Sequence, residues 1–140
     1  RAALLTGLWG TQKARLVKGG KYHSWEAPEG AVPYWHTKYR LESVIELQHL
    51  LESTMNKEVF SKITIPVFVS YYYENEENQD DVVSVEKILD MTKNLGTPKE
   101  KLRVINMRDA KVHAMANGVF NKNTRTVFEK TCKYAEEILY

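Results

Sequence analysis

The hydrophobic positions change period along the chain, and those changes mark out its elements. Residues 65–73, IPVFVSYYY, form a run of β-branched, aromatic and small side chains with no polar alternation. Such a run predicts a short strand buried on both faces, of the kind found inside parallel sheets. The acidic stretch 74–81 ends it, and from Ser84 the spacing of Val85, Ile88, Leu89 and Met91 becomes helical. Ser84 is a natural N-cap and Glu86 an acid in the first turn, so the pattern predicts a helix over 84–95. Leu95-Gly96-Thr97-Pro98 stops it, with Gly96 suited to the left-handed position that follows a helix. A second strand is predicted over 102–107, then a loop holding His113, then a closing helix over 124–139. This order implies two parallel strands joined by a helical crossover, an α/β arrangement.

The upstream pattern is less regular. Over 36–55, Tyr39, Val44, Leu47, Leu50 and Leu51 recur at helical spacing between Arg40, Glu42, Glu46 and Glu52, which predicts an amphipathic helix. In residues 1–20, Leu4, Leu5, Leu8 and Trp9 offer one apolar face. Gly7, Gly10 and Gly19-Gly20 interrupt it, so one or two short helices are expected. Residues 21–34 read as an irregular loop in which Tyr22, Trp25 and Tyr34 either anchor on a neighbouring surface or line a substrate entrance. Residues 56–62 read as a polar connector with a short helical turn.

Composition narrows the function. The 140 residues suffice for one domain with a core, and the net charge of +2, with no basic stripe, argues against a nucleic-acid partner. Cys132 is the single cysteine, which rules out an internal disulfide and leaves the compartment open; its place near the apolar face of the last helix predicts a buried thiol. No apolar run is long enough to span a membrane. The start, RAALLTGLWG, has neither an initiator Met nor a signal pattern and reads as the beginning of a fragment. His36 and His49 lie thirteen residues apart with no carboxylate or cysteine in ligand spacing, and His23 has no partner in sequence, so no metal site is expected. The acidic stretch 74–81 reads as a solvated loop, with calcium binding as an outside alternative. A nucleotide-binding reading lacks its glycine-rich phosphate loop.

The chemistry rests on an acidic residue beyond one strand and a histidine beyond the next, where open α/β sheets place their reactive groups. Serine-type acyl transfer needs a nucleophile, a histidine base and an acid that orients the base. IPVFVSYYY, then QDDVVSV, a helix, LGTP, a strand and the His-bearing loop DAKVHAM together resemble the C-terminal part of an α/β-hydrolase. The resemblance covers residues 63–139 well and 1–62 only loosely. It implies a partial α/β-hydrolase fold, with residues 1–62 as a helical cap or lid segment and 63–140 as the last β-α-β-α portion. It also implies Asp80, from Asp80-Asp81-Val82-Val83, as the acid and His113 as the base of a Ser-Asp-His triad, with no metal or organic cofactor.

Three departures qualify it. Residues 74–79, ENEENQ, lengthen the acid loop, so Glu74 or Asp81 could replace Asp80; Val112 stands before His113 where the family often has glycine; and no G-x-S-x-G elbow is present. Ser24, Ser43, Ser53, Ser61, Ser70 and Ser84 all lack the flanking glycines. The expected protein is therefore part of a serine-dependent, esterase- or peptidase-like hydrolase acting on a small ester or amide. By itself it is expected to be inactive, and to associate with a missing N-terminal half or with a second copy. The alternative is a non-catalytic α/β binding or assembly module.

Overall fold

A computed structural model describes residues 19–139, and these fall into two compact units, one within Arg1–Met55 and the other within Asn56–Tyr140. The short helices expected over 1–20 lie, apart from Gly19 and Gly20, outside the described residues.

In the first unit, strand β1 (Tyr22–Ser24) pairs antiparallel with β2 (Lys38–Arg40), and helix α1 (Leu41–Thr54) follows directly. The helix predicted from 36 thus begins at Leu41. Tyr39 instead faces His23 across the two strands, and the Trp25 N–H donates to the Thr37 carbonyl at 3.0 Å. Backbone pairing with residues 22–24 overrides the apparent helical spacing of Tyr39. The loop expected to be irregular contains β1 and a single 3-10 turn, Val32–Tyr34. Of its aromatic residues, Trp25 is anchored, with its Nε1–H donating to the His36 carbonyl at 3.2 Å and its ring edge-on to Trp35. Tyr34 is 83% exposed and anchors nothing among the described residues. On α1 the buried residues are Leu41 and Ile45, one turn apart, while Val44, Leu47, Leu50 and Leu51 are exposed.

The second unit opens with a short helix α2 (Lys57–Ser61), capped by Asn56, whose side chain accepts from the Val59 N–H. A backbone bond ties α2 into this unit: the Phe60 carbonyl accepts from the Gly96 N–H at 3.1 Å. The break between units therefore falls seven residues before the 62/63 boundary read from the sequence. Strand β3 (Val67–Tyr71) pairs in parallel with β4 (Leu102–Asn106), Val67 against Leu102 through Tyr71 against Asn106. Between them runs α3 (Val85–Asn94), and the Ser84 side chain accepts from the Lys87 N–H, as its sequence predicts. The order is α/β in the general sense, with a small parallel sheet.

Successive strand residues point to opposite faces. Helix α4 (Thr124–Leu139) covers the face bearing Phe68 and Ile105, where Met107, Ala110, Met115 and Val127 form the main buried cluster. The Phe68 and Tyr134 rings pack 5.3 Å apart, Arg103 pairs with Glu137, and the Tyr134 hydroxyl donates to the Lys101 carbonyl. Cys132 on this helix is half-buried, rather than the fully buried thiol expected.

Gly96 is needed for a different reason than the one its sequence suggests. The chain leaves α3 through an extended Leu95 (φ −64°, ψ 140°), and the described glycines with positive φ are Gly19 and Gly30, not Gly96. A Cβ on Gly96 would lie 2.1 Å from the Ser61 carbonyl oxygen, so close backbone approach demands glycine here. Beside it the buried Thr97 hydroxyl donates to the carbonyls of Ile65 (2.8 Å) and Ile63 (3.2 Å), tying the helix exit to the start of β3.

Candidate active site

Two loops leave the C-terminal ends of the adjacent parallel strands, and each delivers one polar side chain to the other. The first, after β3, carries residues 74–79. They form a closed turn: Tyr73 bridges Gln79 in antiparallel fashion and the Glu74 N–H donates to the Asn78 carbonyl at 2.9 Å. Within it the Asn75 Oδ1 accepts from the N–H groups of Glu77 and Asn78 and from the Asn78 side chain. Because this segment closes on itself, the chain returns to where it left the strand, and the Asp80 N–H donates to the Tyr72 carbonyl at 3.0 Å.

Asp80 is then held by its own next turn. Its Oδ1 accepts from the N–H groups of Val82 (2.9 Å) and Val83 (2.8 Å), the turn geometry that Asp favours. With Oδ1 so fixed, Oδ2 lies 2.7 Å from Nδ1 of His113. The Asp80 side chain is 2% exposed, whereas the His113 ring is 45% exposed. Burial pushes the Asp80 carboxyl up, but the hydrogen bond from His113, the two amide donors and the charge on His113 together outweigh it and hold the group below its ordinary 3.8. An ionised carboxylate only accepts, so Nδ1 carries the hydrogen it donates, and in the neutral ring Nε2 keeps the lone pair. Among the described residues Nε2 makes no hydrogen bond. The arrangement can therefore orient an imidazole, fix its tautomer and stabilise the imidazolium that forms when Nε2 takes a proton.

Asp80, rather than Glu74 or Asp81, is the carboxylate that reaches His113. Glu74 lies instead against the Tyr72 phenol, whose pKa is raised by burial and then by that carboxylate. Asp81 is exposed.

The second loop runs from Met107 to Asn123 and is stapled by asparagines. The Met115 N–H donates to the His113 carbonyl (2.8 Å), and the Met115 carbonyl accepts from the fully buried Asn121 side chain. Asn121 Oδ1 accepts from the Asn123 N–H, and Asn123 Nδ2 donates to the Asp109 carbonyl at 2.9 Å. Lys111, two residues before His113, has a left-handed backbone (φ 55°), which for a non-glycine residue stores of order 1 kcal/mol. Sequence reasoning missed these asparagines, although Asn at loop positions is itself a signal of local side chain-to-backbone bonding. Nothing in the sequence announces the Lys111 conformation.

In the first unit, His49 lies near Glu46, one turn earlier on α1. Among the described residues no group of three or more His, Cys, Asp or Glu side chains is arranged to hold a metal ion, and no helix is long and apolar enough to cross a membrane. Compared with protein families, curated proteins and solved structures, the chain matches none of them.

Proposed function

We propose that this chain supplies the acid and the base of a serine-dependent hydrolase of the α/β-hydrolase type. The observation that carries the reading is the Asp80–His113 pair. A buried carboxylate, pinned by two amides, receives the Nδ1–H of a half-exposed imidazole at 2.7 Å, and the two side chains come from the loops after adjacent parallel strands. On this reading Nε2 takes the proton of a serine hydroxyl as the oxygen attacks an ester or amide carbonyl. Asp80 stabilises the resulting imidazolium without itself taking the proton, and the imidazolium then protonates the leaving group. The serine comes from a segment outside these 140 residues, since none of the six serines here has the elbow glycines. The β3–β4 pair is the last part of the hydrolase sheet, its remaining strands provided by that segment or by a second copy.

The test is made on the product of the complete reading frame. A fluorophosphonate probe should label one serine, and His113→Ala should abolish the labelling. Asp80→Asn should lower kcat for an activated ester by roughly three to four orders of magnitude, because the wrong tautomer faces the nucleophile. The 140-residue chain should turn over no such ester. Labelling or turnover that survives His113→Ala would overturn the reading. A complete frame with no labelled serine would favour the non-catalytic module, in which the pair merely ties two loops.

A further inference from the structure

In a parallel ladder the rungs recur at every second residue, each residue on a rung using both its N–H and its C=O. Here the last backbone rung is the Met107 N–H donating to the Tyr71 carbonyl at 2.7 Å. The next would join the Tyr73 N–H to the Met107 carbonyl, and the Asp109 N–H to the Tyr73 carbonyl. Neither bond forms: the Met107 carbonyl accepts instead from Ala110, as β4 turns away toward the His113 loop.

The Asn106 side chain occupies both vacant places. Its Oδ1 accepts from the Tyr73 N–H at 3.1 Å, and its Nδ2 donates to the Tyr73 carbonyl at 2.7 Å. A carboxamide has the donor and acceptor of a peptide unit, so this one side chain serves as one more rung. It holds β3 two residues beyond the point where the β4 backbone has left. Those two residues matter, because Tyr72 supplies the carbonyl that receives the Asp80 N–H and Tyr73 bridges Gln79 at the neck of the acid loop. The same residue is the last of β4, from which the histidine loop departs.

We propose that Asn106 is the positioning residue of the Asp80–His113 pair: its carboxamide lets the two loops diverge while keeping the root of one fixed to the root of the other. The role attributed to the pair rests on the hydrolase reading, but the clamp does not.

The experiment is NMR on the 140-residue chain at neutral pH, comparing wild type with Asn106→Ala and Asn106→Asp. Long-range nitrogen–proton correlations report which ring nitrogen of His113 carries the hydrogen, and amide exchange reports the loop neck. In the wild type, His113 should hold its hydrogen on Nδ1. In Asn106→Ala, exchange at the Tyr73 and Asp80 amides should rise at least tenfold over that of the β3 amides, and the Nδ1–H population should fall. Asn106→Asp keeps an acceptor for the Tyr73 N–H but sets a second oxygen against the Tyr73 carbonyl, so it should disturb the tautomer while protecting Tyr73 better than alanine does. Folded variants with unchanged tautomer and unchanged exchange would overturn the proposal and leave the hydrolase reading standing. Loss of the fold in both variants would also overturn it, by making Asn106 a scaffold residue. A wild-type His113 protonated on Nε2 would instead remove the pair itself, and with it the hydrolase reading.

Discussion

Replacing Asp80 by alanine and, separately, by asparagine divides the two things its carboxylate does. Alanine removes the acceptor of the Val82 and Val83 amides and the partner of His113 together. The amides bond at 2.9 and 2.8 Å to a charged oxygen, which taken alone is worth about 1.5–3 kcal/mol apiece. Val82 is 67% exposed and Val83 38%, however, so water reaches the freed groups and about 1 kcal/mol net for each is the fitting figure. The half-exposed His113 adds at most about 1 kcal/mol as an ion-pair partner. Asp80→Ala should therefore cost about 2–3 kcal/mol. Asp80→Asn keeps a carbonyl oxygen for both amides and changes only the atom facing His113, so it should cost about 1 kcal/mol or less. The gap of about 2 kcal/mol corresponds to roughly thirtyfold in exchange rate. Native-state hydrogen exchange of the β3, β4 and α3 amides at pH 7 is the suitable assay. Tryptophan fluorescence is not, because residues 56–140 contain no tryptophan. Equal losses in the two variants, or a larger loss for asparagine, would refute the reasoning: the amides would then contribute nothing, and the pair with His113 everything.

Gly96→Ala sets a methyl group 2.1 Å from the Ser61 carbonyl oxygen and strains the bond from the Gly96 N–H to Phe60. Overpacking and the weakened bond together should cost about 2–4 kcal/mol; a loss below about 0.5 kcal/mol in urea unfolding would mean that α2 yields freely. Acid titration probes the electrostatics of Asp80. Its folded carboxyl lies below 3.8, so the unfolded chain binds that proton first; the stabilisation is complete above pH 3.8 and is lost as pH falls through the folded value. The stability difference between wild type and Asp80→Asn should accordingly shrink below pH 3.8, and a difference that stays constant or widens there would contradict the stated balance of burial against donors.

The second unit is more legible in the sequence than the first because its signals are local and agree with one another. An apolar run, a serine cap and a stop at LGTP each fix an element within a few residues, and α3, β3, β4 and α4 lie where these signals put them. In the first unit, spacing and pairing compete. Tyr39 fits a helical period, yet its backbone is claimed by Tyr22–Ser24, a long-range choice that no window around Tyr39 contains. Gly96 shows a subtler mismatch. The sequence marks this glycine as suited to a left-handed helix exit, but what requires it is the Ser61 carbonyl on another element.

At the site, strand order leads to two loops and two residues, but does not decide which of three carboxylates meets the imidazole. That choice depends on how residues 74–79 close. An open segment would carry Asp80 away from the strand end and leave Glu74 nearest. The Tyr73–Gln79 bridge and the Asn75 bonds close the segment on its own backbone, so that Asp80 follows the strand almost as though residues 74–79 were missing. From there the direction of the side chain is set by its turn. A carboxylate whose Oδ1 already accepts from the amides two and three residues ahead has a single oxygen left, and that oxygen meets Nδ1 of His113. Asp81, one position on, has no such anchorage among the described residues and stays in water. The carboxylate that meets His113 is thus selected by backbone hydrogen bonds rather than by its distance along the chain.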